Sequence, residues 1–534
     1  MTLSENMINL LFIISLIVYL LFSLLELRKD LHIIQLNSYM TGRYFKWVRY
    51  NILNKIRIKR LLPILAFIPL YLNLFYLFLL CWISSYLFLL STIEKVHEKK
   101  RLVFTNRAIR LYTTSALLSI AILFVIYSKF RVSNELILPF IFLVLLNIFS
   151  PIGMLISNII VSPLEKMINH WYFNDAKKKV KQFNNLTVIG ITGSFGKTST
   201  KYILNKILSD RYNTLMTPES YNTPMGITKV IRTQLKPIHE IFIAEMGAKK
   251  KGDIKELCNL VSPKIGILTA IGEQHLETFG SINNIISTKN ELIESLPDEG
   301  IAFLNRDNNY IKELPQRKNI KYIYYGIDSE NLNFYARNIQ YTPIGTDFMV
   351  CDDKGNQFKF KSKLLGKHNV YNILAAASVA NELGMDLLSI SHAIKSLEPV
   401  PHRLELKTYC PNVILIDDAY NSNPIGFNIA LDVLKEMNGE RKILVTPGMI
   451  ELGDKHYDIN KAVGVRASQF CDYIILIGTR QTKPIQDGLK IENYSKDKIY
   501  ITNTFTDANR YLQDIVEDGD VILFENDLPD NYSE

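Results

Sequence analysis

The sequence is poor in the residues that build disulfide frameworks and clustered metal sites. Its 534 residues include only nine histidines and five cysteines, and the cysteines stand far apart at Cys81, Cys258, Cys351, Cys410 and Cys471. They form no C-x-x-C pair and no cluster with histidine, which argues against a disulfide framework and a structural zinc site. Internal repeats and low-complexity tracts are also absent. A reducing compartment fits this usage.

The net charge of +9 does not indicate a nucleic-acid partner, because much of the positive charge is local. Residues 28–60 hold nine Lys and Arg against one acid, Asp30, and apolar runs lie on both sides. Basic segments beside apolar runs are typical of loops on the cytoplasmic side of a membrane.

The first part of the chain, residues 1–161, predicts a multi-pass α-helical membrane region. Residues 8–27 have the length of one span, with no cleavage site after them, so we expect a retained anchor. Residues 61–91 form an apolar run between two basic segments, which favours two short passes or a re-entrant hairpin over one tilted pass. With further spans at 111–128 and 136–161, the prediction is five crossings of the plasma membrane, the N-terminus outside and the rest of the chain cytoplasmic.

Residues 162–183 combine Trp171, Tyr172 and Phe173 with several lysines. This composition fits an amphipathic helix on the membrane surface, and an ordinary linker helix is the alternative.

Residues 187–200 have the order of a phosphate-binding loop. The β-branched run that begins at Thr187 predicts a buried strand, glycines stand at three-residue intervals at positions 190, 193 and 196, and residues 198–208 predict an amphipathic helix. Backbone N–H groups of such a loop bind phosphate oxygens, while Lys197 reaches the outer phosphates and Thr198 offers its hydroxyl to Mg²⁺. Ile191 stands where the common motif has its first glycine, so a glycine-rich turn that binds nothing is the alternative.

Polar side chains follow two further predicted strands. The strand 241–244 ends at Glu245, where a second Mg²⁺ contact is expected, and the strand 265–271 leads to His275. From about residue 406, apolar runs at 413–416, 442–445, 473–477 and 521–524 predict a second doubly wound sheet. The sequence thus predicts α/β domains over 184–405 and 406–534.

Residues 184–534 resemble the Mur ligases, ATP-dependent amide-forming enzymes of cell-wall assembly, and most closely their D-alanyl-D-alanine-adding branch. The matching motifs stand in the family's order: Gly190-Ile-Thr-Gly-Ser-Phe-Gly-Lys197-Thr198, Tyr221-Asn222-Thr-Pro-Met-Gly226, Ala244-Glu245-Met-Gly247, His275-Leu-Glu-Thr-Phe-Gly280, Thr288-Lys289-Asn-Glu291, Gly366-Lys-His368-Asn369-Val-Tyr-Asn372, Pro401-His402-Arg403 and Asp417-Asp418-Ala-Tyr420-Asn421. The resemblance implies a P-loop central domain and a Rossmann-like C-terminal domain.

The resemblance also implies a role for each matching position. The expected ATP contacts in and after the loop are Gly193, Ser194, Gly196, Lys197, Thr198 and Ser199. Asn369 and Asn372 are expected at adenine, Arg403 at the γ-phosphate and Asp418 at ribose. The expected Mg²⁺ ligands are Thr198, Glu245, His275 and a carbamylated Lys289. The residues expected to act on the reaction are Lys197, Asn222, His275, Lys289 and Arg403.

Such an enzyme uses ATP to convert a carboxylate into an acyl phosphate, which an amine then attacks. Lys197, Arg403 and two metals neutralise the charge that develops, and a hinge near residue 405 closes the amine-binding domain. The expected partners are a carboxylate-bearing cell-envelope precursor, nucleotide- or lipid-linked, and an amino acid or dipeptide amine. No nucleic acid is expected.

Three departures from the family leave the acceptor and the amine open. Membrane spans replace the usual soluble first domain, Asn460 replaces a histidine, and Glu525-Asn526-Asp527 replaces a lysine-glycine-serine ending. One alternative is a polyglutamate-forming ligase of the same superfamily. Another is a P-loop ATPase that drives a transporter, which predicts repeated nucleotide domains or ionisable residues inside the spans, and the sequence indicates neither.

Overall fold

The computed structural model describes residues 5–51, 59–72, 74–92, 101–132, 137–219, 221–274, 276–342, 345–398, 401–419, 422–450 and 452–526. The chain divides into two compact units, Met1–His170 and Trp171–Glu534. His275, Tyr420 and Asn421, which the sequence places in motifs, lie outside the described residues.

The first unit is helical. Its helices are Glu5–Leu36, Thr41–Asn51, Phe67–Tyr71, Phe75–Ser91, Asn106–Val132, Ile137–Ile148 and the first part of Ser150–Gln182, with a 3₁₀ helix over Lys59–Ala66. Aromatic rings fill its core, where Phe140 meets Phe78 and Trp82 edge-to-face at centroid distances of 4.8 and 4.7 Å. Of the helices that the structure describes, three are long and apolar enough to cross a membrane: Met7–Leu36, Asn106–Val125 and Ser150–Gln182. Phe75–Ser91 and Pro139–Ile148 are shorter apolar helices, and the five crossings stay a prediction.

The apolar run 61–91 is not one continuous helix. A 3₁₀ helix, a short α-helix and the helix Phe75–Ser91 divide it, and Pro63 and Pro69 each lack the N–H that a continuous helix needs. A single long helix over this run is therefore excluded.

The predicted span 136–161 is wrong as one element, because the helix ends at Ile148 and a new one begins at Ser150. Pro151 has no N–H to donate to the carbonyl of Asn147 four residues earlier. That carbonyl instead accepts a hydrogen bond from Arg60 Nη1 at 2.9 Å. The freed backbone group thus gains a partner from another segment.

The first unit also contains buried charges, which corrects the expectation that the spans hold no ionisable residue. Glu26, inside the predicted span 8–27, is buried and forms an ion pair with the buried Arg60. Asp30 is buried as well and accepts a hydrogen bond from Ser150 Oγ at 2.6 Å. Pairing offsets the cost of removing these charges from water.

The second unit is an α/β structure. Its strands are β1 Thr187–Thr192, β2 Thr214–Met216, β3 Ile241–Glu245, β4 Ile265–Leu268, β5 Ile301–Asn305, β6 Lys321–Gly326, β7 Phe334–Thr342, β8 Gly345–Asp352, β9 Gln357–Ser362, β10 Glu405–Cys410, β11 Val413–Asp418, β12 Lys442–Thr446, β13 Tyr473–Ile477, β14 Ile499–Thr502 and β15 Val521–Glu525. Its helices are Lys197–Leu208, Pro224–Thr233, Asp253–Val261, Leu276–Phe279, Ile282–Glu294, Asn309–Lys312, Lys367–Glu382, Leu387–Lys395, Pro424–Glu436, His456–Ala467, Lys483–Ile491 and Phe505–Ile515, with 3₁₀ helices Gly453–Lys455 and Lys496–Lys498.

Within the described ranges these strands form two sheets, in the orders β2-β3-β1-β4-β5-β6-β7-β8-β9 and β10-β11-β15-β12-β13-β14. The pairs around β1 are parallel, as are those around β15, so several carboxyl ends meet at one edge of each sheet. Alternate residues of β1 enter different cores, Ile189 and Ile191 on one face and Val188 on the other. Burial on both faces explains the continuous apolar runs that predict these strands.

The helix Ser150–Gln182 continues through the predicted linker 162–183. Within the second unit, its residues Ala176 and Val180 pack into the core, while Trp171 remains exposed. The predicted boundaries at 161, 183 and 405 stay predictions.

Candidate active site

The phosphate loop, residues 193–196, lies between β1 and the helix Lys197–Leu208, as predicted. Gly196 has φ 82°, and a Cβ there would lie 2.6 Å from Asn372 Oδ1. A Cβ on Gly193 would lie 2.1 Å from Thr269 Oγ1. Only glycine fits at both positions, because real Cβ contacts are longer than these distances. Ser194 also supports the loop, since its N–H donates to the Ala270 carbonyl at 2.7 Å.

Lys197 begins the helix, and its amine folds back over the loop. It donates to the carbonyls of Gly193 and Ser194 at 2.6 and 3.2 Å. Burial lowers its pKa to about 8, which Glu245 opposes and Arg403 reinforces. The amine therefore lies at the mouth of the loop, where outer phosphates bind in such sites.

Glu245 is the centre of a polar cluster at the carboxyl ends of β1 and β3. Thr198 Oγ1 donates to its Oε2 at 3.1 Å, and Asn222 Nδ2 donates to its Oε1 at 3.1 Å. Lys201, fully buried one turn after Lys197, lies 3.0 Å from the same Oε2. Burial raises the pKa of Glu245, but Lys201 and Lys197 outweigh burial and hold it below its usual range.

This cluster brings together the predicted metal ligands Thr198 and Glu245. A hydroxyl and an ionised carboxylate, side by side at the end of a phosphate loop, are the donors that Mg²⁺ takes in nucleotide sites. The cluster therefore fits the ion in its donor chemistry.

Lys289 lies inside the helix Ile282–Glu294 with 4% of its surface exposed. Burial, followed by repulsion from Lys197, holds its pKa well below the usual lysine value. Among the described residues its amine forms no hydrogen bond or ion pair, while Glu291 of the same helix accepts hydrogen bonds from the backbone N–H groups of Gly252 and Lys255. A lowered pKa favours the neutral amine, which is the form that reacts with CO₂ in carbamylation. The predicted partner His275 lies outside the described residues.

A small cleft lies beside the helix Lys197–Leu208. Its lining includes Ser199, Asn369 and Arg403, three of the predicted nucleotide contacts. Asn372, predicted to contact adenine with Asn369, accepts a hydrogen bond from Thr200 Oγ1 at 3.2 Å beneath the loop. In this conformation its amide supports the loop.

Arg403 lies between the phosphate-loop helix and the C-terminal sheet, because it lines the cleft with Ser199 and the next residue, Leu404, donates to Asp418 of β11. Its charge lowers the pKa values of Lys197, His368, Asp418 and Glu525, although burial is the larger effect on each of them. Burial and Arg403 together bring the pKa of His368 to about 4, so this ring is neutral at pH 7. A cation with these neighbours can reach both the phosphates and the second sheet.

Asp418, the predicted ribose contact, ends β11. Its Oδ1 accepts the backbone N–H of Leu404 at 3.2 Å, and burial raises its pKa to about 6. The central and C-terminal sheets are also joined by an ion pair between Lys455 and Glu273 at 2.5 Å. The segment that carries Arg403 and the C-terminal sheet therefore lies against the phosphate loop's domain.

Three further residues of the site were not among the sequence predictions. Lys201 pairs with Glu245, the Glu245 N–H donates to Thr217 Oγ1 at 3.1 Å, and Thr269 Oγ1 donates to the Phe195 carbonyl at 2.6 Å. Thr269 directly follows Leu268, where β4 ends, three residues before the predicted end of the strand. For Lys201 a signal was present, because a lysine four residues after Lys197 falls on the same helix face.

Two family models match the second unit. The Mur ligase middle domain matches residues 191–380, and the "Mur ligase, glutamate ligase domain" matches residues 402–525.

Curated relatives cover a similar part. A UDP-N-acetylmuramoyl-tripeptide--D-alanyl-D-alanine ligase of Escherichia coli is 32% identical over 61% of this chain and 72% of its own length. The Bacillus subtilis enzyme of the same name is 30% identical over 63% of this chain and 72% of its own length.

Among solved structures, MurF ligase from Thermotoga maritima in complex with ADP has a TM-score of 0.59 and 27% identity, covering 67% of this chain and 80% of that one. MurF from Acinetobacter baumannii has a TM-score of 0.61 and 26% identity, covering 67% and 77%.

Proposed function

Because this chain belongs to the Mur ligase family and is an ATP-dependent amide-forming ligase, we propose that it joins a cell-envelope carboxylate to an amine through an acyl phosphate. The relatives' names specify a UDP-N-acetylmuramoyl tripeptide and D-alanyl-D-alanine. For this chain we propose a nucleotide- or lipid-linked precursor as the acceptor and an amino acid or dipeptide as the amine. We further propose that the first unit anchors the enzyme in the plasma membrane, with the ligase domains in the cytoplasm.

The observation that carries the proposal is the cluster around Glu245 at the mouth of the phosphate loop. Thr198, Asn222 and Lys201 all contact this carboxylate, and Lys197 begins the same helix. Phosphoryl transfer between anions needs cations and a metal-binding carboxylate in one place. A glycine-rich turn that binds nothing has no reason to assemble this set.

The chain's own groups divide the work. The phosphate loop orients the nucleotide, and Lys197 leaves the loop carbonyls to meet the outer phosphates. Arg403 adds positive charge from the other side as the acceptor carboxylate approaches. Asn222, held against Glu245, lies beside the place where the reacting carboxylate is expected. ATP supplies the phosphate that turns a poor acyl donor into a good one.

We propose Mg²⁺ at Thr198 and Glu245, where it supplies charge neutralisation during phosphoryl transfer. Lys201 and Asn222 hold the Glu245 carboxylate in place, which fixes its orientation toward Thr198. Lys289 is proposed to complete a second metal site with His275 after carbamylation, because its amine is buried and its pKa is lowered.

The test measures phosphate release from ATP by the full chain in detergent, against a panel of envelope carboxylates and amines. Release that requires one carboxylate and one amine together, with the amide identified by mass spectrometry, is the expected result. Lys197→Ala is the inactive control, and Lys206→Ala, an exposed lysine of the same helix, is the matched control.

Two outcomes contradict the proposal. ATP hydrolysis that no pair of substrates stimulates argues against a ligase of envelope precursors. Turnover only with a glutamate chain and glutamate identifies the polyglutamate-forming alternative.

A further inference from the structure

Glu525 is a buried carboxylate that the proposed chemistry does not use. It is the last residue of β15, in the middle of the second sheet, and only 1% of its surface is exposed. Its Oε1 accepts a hydrogen bond from Ser422 Oγ at 2.6 Å. Its Oε2 is buried and has no hydrogen-bond partner among the residues that the structure describes. Such an oxygen is costly unless a donor joins it.

A second carboxylate lies beside it. Asp418 pairs with Glu525 in the register of β11 and β15, so both side chains project from the carboxyl edge of the same sheet. Leu404 N–H contacts Asp418, but no backbone donor of the described residues reaches Glu525. The pKa of Glu525 is well above its usual range because of burial and the charge of Asp418, while Ser422 and Arg403 oppose this.

The position of the pair indicates a ligand. Open α/β sheets bind ligands outside the carboxyl ends of their central strands, and β11 and β15 are neighbours there. Leu404 donates to Asp418, and the preceding residue, Arg403, lines a cleft together with Ser199 of the helix after the phosphate loop, so the pair lies on the side of the second sheet that faces this loop. A ligand bound at Glu525 therefore lies toward the reacting groups.

We propose that Glu525 binds an ammonium group of the amine substrate. This inference rests on the proposed ligase function and names the chemistry of its second substrate. An ammonium brings three donors and a positive charge to a buried carboxylate that has an unused oxygen. A substrate carboxylate is repelled at the same place. The ammonium belongs either to the reacting amine or to a second amine of a diamino acid.

The test uses the full chain in detergent, with Glu525→Gln as the main variant. Glutamine keeps the size and an acceptor for Ser422 but removes the charge. With saturating ATP and acceptor, the KM for the amine is expected to rise at least tenfold, while kcat and the KM for ATP change less than twofold. Glu517→Gln is the matched control, because this exposed glutamate lies near the other end of β15.

The amine panel separates the two sources of the ammonium. It compares D-alanyl-D-alanine with lysine and with lysine acetylated on its side-chain nitrogen. If Glu525→Gln raises the KM for D-alanyl-D-alanine tenfold, Glu525 binds the reacting amine. If Glu525→Gln raises the KM for lysine alone, and the wild-type enzyme has a similarly raised KM for acetyl-lysine, Glu525 binds the second amine.

A second variant, Ser422→Ala, keeps the Glu525 charge but removes the hydrogen bond that holds it. A rise of about threefold in the amine KM is therefore expected. The melting temperature of each variant reports its folding. If no acceptor supports turnover, the ligase proposal fails, and calorimetric titration with lysine and D-alanyl-D-alanine still tests Glu525. The inference is overturned if these amines bind equally to wild type and Glu525→Gln, or do not bind to the wild type. It is also overturned if the KM of Glu525→Gln stays within twofold of the wild-type KM for every amine.

Discussion

Two lysines one turn apart on the helix Lys197–Leu208 are predicted to separate chemistry from stability. Within the described ranges Lys197 donates only to carbonyls of its own loop, whereas Lys201 contacts a carboxylate and a carbonyl from other segments. We therefore compare Lys197→Ala with Lys201→Met, and use the exposed Lys206→Ala as the control.

Replacing Lys197 is expected to change stability little. Its pKa of about 8 means that the charged amine is disfavoured by about 3 kcal/mol in the nucleotide-free protein. Removing it relieves this cost but loses two hydrogen bonds of about 1 kcal/mol each and some packing. The balance is about 1 kcal/mol or less, a melting shift of about 3 °C. Turnover should fall at least thirtyfold, since a charge contact to the transferred phosphate contributes at least about 2 kcal/mol.

Replacing Lys201 is expected to lower stability clearly. Lys201 is fully buried, lies 3.0 Å from Glu245 Oε2, and donates to the Glu219 carbonyl at 2.7 Å. Breaking a buried pair costs about 3–5 kcal/mol, and we expect about 3 kcal/mol because Thr198 and Asn222 still contact Glu245. The melting temperature should fall by about 6–10 °C.

Thermal unfolding without nucleotide and phosphate release are measured on the same preparations of full-length protein. Lys197→Ala turnover above a tenth of wild type would refute the phosphate-loop assignment. A Lys201→Met protein that melts within 2 °C of wild type would refute the importance of the buried pair.

The remaining predictions concern a metal ligand, a titrating acid and the membrane topology. Lys289→Ala should lose most activity and regain part of it with added short carboxylates, and normal turnover, or a folded variant inert to them all, argues against carbamylation. Burial raises the pKa of Asp418 to about 6, above its unfolded value, so its contribution to stability is lost as pH rises from about 4 to about 6. The melting temperature of Asp418→Asn should therefore rise relative to wild type across this range, and a constant difference contradicts the burial argument. Reporter fusions at residues 100 and 133 should report opposite sides of the membrane, and one common side refutes the charge-based orientation.

The sequence by itself determined the parts of the site that are local in the chain. The phosphate loop follows from glycines, Lys197 and Thr198 between an apolar run and an amphipathic helix, and the structure confirms that order. Glu245 was predictable because parallel strands align their carboxyl ends, so a polar residue after a buried strand reaches the edge where ligands bind.

The tertiary structure decided every contact between distant segments. The pairing of Lys201 with Glu245 spans 44 residues of chain, which no local pattern reports. Asn372 supports the loop, because the helix that carries it packs against the helix of Lys197, while its contact with adenine stays a prediction. The break between Ile148 and Ser150 needed Arg60 as a new partner for a freed carbonyl. Glu525 follows a predicted strand, but only the pairing of β15 with β11 places Asp418 beside it. The hydropathy pattern and the helix or strand propensity of a segment depend on that segment alone. Strand order and side-chain pairing depend on which distant segments pack together.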